Sequence, residues 1–245
     1  MRRVPRFAFR AAAAFLVLIV LYGLLLLFPE PLFAYRVEEG PFVVYSRKPL
    51  PHALVARNLR DAEARLRSSE IHRGDLRHRV FVTGSKSLYR LRNGPYSGAI
   101  ARNVDLGNAI LLPDIDHEAP RVVHFDGRSA RLDEILAHEA THTFVQDRLG
   151  AVRALCLPFW KKEGYAQYVG LDFFPLAAGT RALEGPEKHP SLPGGGPVPR
   201  HYLEAAVVWA HRMQFEAEIF DEVMARDEKF AELLRDALSA ATSAP

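Results

Sequence analysis

Residues 135–149 read ILAHEATHTFVQDRL, and within them His138-Glu139-Ala140-Thr141-His142 sets two histidines four positions apart, with a glutamate beside the first. Side chains four apart on an α-helix share one face, one turn above each other. Two imidazoles held that way can share one zinc ion at about 2.0–2.1 Å. Glu139 is too displaced to be a ligand, but it can reach a water at the metal and act as general base. Leu132, Ile135, Leu136, Val145 and Leu149 supply an apolar face, no Gly or Pro interrupts it, and Gly150 ends it. A helix over 130–148 is predicted, with Ala140 small enough for another element to come close.

A catalytic zinc needs a third protein ligand and one open position. Downstream runs Trp160-Lys161-Lys162-Glu163-Gly164-Tyr165-Ala166-Gln167-Tyr168, in which Glu163 is the twenty-first residue after His142. That spacing lets the first helix end and a second, over 159–170, pack back across it. A glutamate on a helix is ordinarily just exposed. Glu163 differs because Gly164 follows it, and a glycine inside a helix costs about 1 kcal/mol unless close packing requires it.

Both halves together, LAHEATHTF and WKKEGYAQYV, resemble the gluzincin superfamily of zinc metallopeptidases, in its thermolysin-like and aminopeptidase-like branches. The resemblance covers Leu136 to Val169. It implies one zinc ion, hydrolysis of peptide bonds, His138, His142 and Glu163 as metal ligands, Glu139 as base, and a sheet whose edge strand aligns a peptide or protein substrate. Many relatives carry an acidic residue four after the third ligand, orienting the first histidine. Gln167 stands there instead, and an amide can accept that hydrogen bond but adds no charge. The different-class alternative is a silent zinc-binding or scaffold protein on the same fold. Glu139 argues against it, since a site without proton transfer needs no base.

Outward from this stretch, the chain has 245 residues, 49% hydrophobic and 25% charged, a globular composition. The net charge is +3, but Arg2, Arg3, Arg6 and Arg10 precede the first apolar run, and without them 28 basic and 29 acidic residues leave −1. A nucleic-acid partner is therefore not expected. Residues 11–28 (AAAAFLVLIVLYGLLLLF) carry no charge and are followed by Pro29 and Pro31. At about 1.5 Å per residue they predict a transmembrane signal-anchor in the lipid bilayer. A basic cytoplasmic tail (1–10) would precede it, and a metallopeptidase-like domain (35–245) would lie on the periplasmic side of the inner membrane. The competing reading is a cleaved signal peptide and a secreted body.

The fold class expected is α+β: a small, mostly antiparallel sheet, then a helical zincin-like core. Strands are read at 37–46 and 79–83, further apolar runs at 108–113 and 121–125, and a helix at 51–69. Helices follow at 201–216 and 227–241, with a Gly- and Pro-rich loop over 179–200 that could form a lid. Either 108–113 or 121–125 could be the edge strand. Tyr202, His201, His211 and Tyr168 are candidate oxyanion donors, Tyr202 leading. The lone Cys156 is expected to be buried and inert.

Overall fold

In the computed structural model, which describes residues 6–104, 108–192 and 196–243, the expected strand 37–46 is two strands. Helix α1 (Arg6–Leu27) leads into β1 (Tyr35–Glu39) and β2 (Phe42–Ser46). Gly40, at φ 55°, makes the turn between them, a left-handed conformation that glycine adopts without penalty. Then come α2 (His52–Arg67), β3 (His78–Val82), α3 (Lys86–Asn93), β4 (Arg102–Val104) and β5 (Ala109–Leu112). These form a five-stranded sheet in the order β1-β2-β3-β5-β4.

That sheet is mixed, which corrects the mostly antiparallel expectation. β1–β2 and β4–β5 are antiparallel, whereas β2–β3 and β3–β5 are parallel. A parallel pair needs a crossover, and α2 and α3 supply the two. A second, three-stranded antiparallel sheet comprises β6 (Asp114–Ile115), β7 (Arg121–Val123) and β8 (Ser129–Arg131).

The helical half contains α4 (Leu132–Leu149), α5 (Ala151–Leu155), α6 (Phe159–Gly170), α7 (Leu176–Leu183) and α8 (Arg200–Ala210), which runs on as a π-helical turn, His211–Phe215. Helices α9 (Phe220–Ala225) and α10 (Phe230–Ser243) complete it. Helix α4 is buried nearly all round rather than along one apolar stripe: 12 of its 18 residues are buried. Its small residues explain this. Ala137, Ala140 and Thr141 are fully covered, letting α2 and α6 approach from different sides. Asp133 and Glu134 sit in its first turn, where the helix dipole favours negative charge. Arg65 of α2 donates to Asp133 and to the Gly170 carbonyl, tying α2, α4 and α6 together.

Glycine sets the spacing of α6, though against an unexpected partner. A Cβ on Gly164 would lie 2.8 Å from the Ala205 carbonyl oxygen, so Gly164 admits α8. Gly170 faces α4, where a Cβ would lie 3.2 Å from the His138 Cβ.

The N-terminal expectation is corrected. Among the described residues no helix is long and apolar enough to cross a membrane, so the single-pass anchor and the inner-membrane placement do not hold. Arg6 and Arg10 lie inside α1 rather than ahead of it. Its other end is committed to the domain, where the Tyr22 hydroxyl donates to the Leu91 carbonyl at 2.8 Å. Only Ala11–Leu21 lies between, roughly 16 Å of helix against about 30 Å of hydrocarbon. Residues 1–5 of the expected basic tail lie outside the described residues.

Candidate metal centre

The three residues read as ligands come together. His138 and His142 lie one turn apart on α4, with Nε2 atoms 3.3 Å from each other. Glu163 enters from α6, its Oε2 3.4 Å from each Nε2. Three lone-pair donors this close repel one another unless a proton or cation lies among them. Four ligands arranged tetrahedrally at about 2.0–2.1 Å from an ion are themselves about 3.3–3.4 Å apart. The donor set and its triangle therefore fit one small divalent ion, and this His/His/Glu group could hold it.

The two carboxyl groups beside this triangle are held in opposite states. Burial pushes Glu163 up, but the His142 and His138 imidazoles outweigh it and hold the carboxyl well below its usual range. Burial pushes Glu139 up to about 7, the nearby Glu163 adding to the rise while His138 opposes it. Neighbouring acids driven apart in this way suit an ionised ligand and a proton acceptor.

Glu139 is also gripped by a strand that the sequence reading missed. Asn103 of β4 donates its backbone N–H to Glu139 Oε2 at 2.5 Å. Its side-chain Nδ2 donates to the Glu139 carbonyl and to Thr143 Oγ1 at 2.7 and 2.9 Å. β4 is one of the two edge strands of the five-stranded sheet, β1 being the other, and it is β4 rather than 108–113 or 121–125 that lies at an edge beside Glu139. The first of those contains β5, interior between β3 and β4, and the second contains β7, central in its own sheet. Three residues between turns carry too little alternation to announce a strand.

Of the oxyanion candidates, only Tyr202 lines the cavity around the metal group. Its ring centroid is 6.0 Å from that of His138. Burial, with Glu163 and Glu139 nearby, pushes its phenol up, so it stays a proton donor. Tyr168 is engaged elsewhere, its hydroxyl accepting from Gln214. His201 is exposed and packs on Phe159, and His211 stacks on Phe215 away from the cavity. Among the described residues of 179–200 none lines the cavity: α7 takes the first part, and Arg200 holds the Leu183 and Gly185 carbonyls. Cys156 is exposed, not buried, because α5 turns its C-terminal end to solvent.

The bond implied for Gln167 is not made. Gln167 is buried, yet the Nδ1 atoms of His138 and His142 are both buried without a hydrogen-bond partner among the described residues. Compared with known proteins, the chain matches no family model, no characterised protein and no solved structure. The site accordingly rests on its own geometry.

Proposed function

We propose that the protein is a zinc-dependent peptidase of the gluzincin kind, with His138, His142 and Glu163 as ligands and Glu139 as general base. The observation that carries this reading is the triangle of two imidazole nitrogens and one carboxylate oxygen, 3.3–3.4 Å on each side, in a cavity that also exposes Glu139. Zinc would supply a Lewis acid that acidifies a water and polarises a carbonyl.

The chain's own groups supply the remainder. Glu139, raised toward neutrality by burial, takes a proton from the attacking water and returns it to the leaving amine. The Asn103 N–H fixes one oxygen of that carboxylate. β4, as an edge strand, is placed to run beside an extended peptide, with its Asn103 N–H already held by Glu139. Tyr202 donates to the oxygen on which charge develops.

Metal analysis of the purified chain should find about one zinc per chain. Glu139→Gln should keep that zinc and lower the cleavage rate by about 10²–10⁴-fold. Zinc near zero, with folding indifferent to chelators, would sink the reading. So would a zinc-loaded wild type that cleaves nothing in a diverse peptide library, which would leave the silent metal-binding alternative.

A further inference from the structure

Among the described residues, the cavity of about 510 Å³ around the metal group is lined by two cations besides the ligands and Glu139. Lys162 is already engaged, its Nζ 3.6 Å from Glu163 Oε1. Arg102 is not. Its guanidinium carbon lies 4.1 Å over the Tyr96 ring, and its Nη1 is 3.4 Å from the Asn93 carbonyl and from Asn93 Oδ1, both long for hydrogen bonds. Among the described residues it makes no ion pair with a carboxylate, although its charge reaches Glu139 across the cavity. Arg65, Arg73, Arg131, Arg148, Arg200 and Arg212 each make such a pair.

A guanidinium carries five N–H donors in a fixed plane. The Tyr96 ring lies against the guanidinium and holds it in the cavity wall as a cation–π contact. Arg102 directly precedes Asn103, whose N–H reaches Glu139, so a group docked on it lies close along the peptide to the reacting bond. Across the cavity, Val152 and Leu155 of α5 stand 79% and 71% exposed, an apolar wall beside the same opening.

Resting on the peptidase reading, we propose that Arg102 docks a carboxylate of the substrate, so that the site takes short apolar peptides bearing a negative charge near the cleaved bond. A carboxylate matches the guanidinium edge with two parallel hydrogen bonds. It has two sources, the peptide's free C-terminus or an acidic side chain.

The test uses the full chain with Glu139→Gln, zinc-loaded, so that peptides bind without being cut. Calorimetry compares a blocked apolar tetrapeptide as the free acid, as its C-terminal amide, and as that amide carrying one glutamate. A carboxylate should tighten binding about ten- to hundredfold over the plain amide. Tightening by the acid alone identifies the C-terminus, and tightening by the glutamate identifies a side chain. Adding Arg102→Gln should bring the ratio near one, and Arg102→Lys should restore part of it, with zinc content reporting that each variant is folded. Equal binding of all three peptides, no binding of any, or a preference that survives Arg102→Gln would overturn the proposal. Wild-type hydrolysis separates the two readings. Cleavage without charge preference removes the Arg102 role and leaves the peptidase. Charge-selective binding with no cleavage removes the peptidase and leaves the docking site.

Discussion

At the scale of single residues, the site is built from groups whose ordinary behaviour has been displaced. Glu139 is pushed toward neutrality while Glu163, sharing the same cavity, is held ionised. Tyr202 stays protonated because burial and two neighbouring carboxylates oppose its ionisation. Tyr202→Phe removes only the hydroxyl and keeps the ring against His138. On the proposed peptidase reading it should lower kcat by about 10²–10³-fold while leaving KM little changed. Unchanged steady-state kinetics would remove Tyr202 from the reaction. Glu139, His138 and His142 were legible residue by residue, because a four-residue spacing on a helix is local geometry. Glu163 was legible only in combination, since any helix supplies glutamates. Arg102 and Asn103 were not legible at all: Asn103 meets Glu139 across 36 residues of sequence, and no local pattern encodes that contact.

At the scale of elements, α6 is the piece that must be positioned exactingly, because it delivers Glu163 to a pair of histidines on another helix. Gly164 and Gly170 set its distance to α8 and α4. Gly164→Ala gains helix propensity, about 1 kcal/mol. Its Cβ, however, would meet the Ala205 carbonyl oxygen at 2.8 Å and the Trp209 ring at the same distance. Backbone cannot yield as a side-chain tip can, so a net loss of about 1–3 kcal/mol is expected, together, on the proposed reading, with weaker retention of the metal ion. Thermal unfolding and a competitive chelator titration would check it, and an unchanged Tm would show that α8 gives way. The helices over 51–69, 130–148 and 159–170 were readable from apolar spacing and from Pro and Gly punctuation. Short elements escaped. Helices α5 and α9 and strand β4 are too brief for a period to emerge, and the β1–β2 hairpin reads as one strand when the Gly40-Pro41 turn between its halves is passed over.

At the scale of the whole molecule, sheet and helices are joined by a core that includes a buried histidine. His78 of β3 is fully covered, packed against Phe42 and Phe144, with both ring nitrogens unpartnered among the described residues. Burial, with some repulsion from His72, lowers it from 6.5 to about 4. The unfolded chain then binds a proton at a pH where the folded chain does not. The stability that depends on a neutral His78 is complete above pH 6.5 and is lost as pH falls toward 4, by up to about 3 kcal/mol. His78→Leu should flatten that part of the profile, as read from urea midpoints at pH 7 and pH 4.5. An equal acid loss in the variant would place the titration elsewhere, at the metal ligands for instance.

The order of sheet before helices was visible at this scale, but the parallel pairings were not. Strand order is chosen by which faces bury together after the crossovers form. The N-terminal run shows the same limit. Its composition reads as a membrane span, yet whether Tyr22 bonds to Leu91 is a contact between residues 69 apart. By itself the sequence determined the helix that carries His138, Glu139 and His142, the glutamate that follows, and the α+β class, because these rest on periodicity and spacing within a few turns. Only the tertiary structure decided that Glu163 closes the triangle, that β4 is the edge strand beside Glu139, and that Arg102 faces the cavity without an ion pair among the described residues. Those outcomes depend on distances between segments far apart in the chain, which packing sets and local propensity does not.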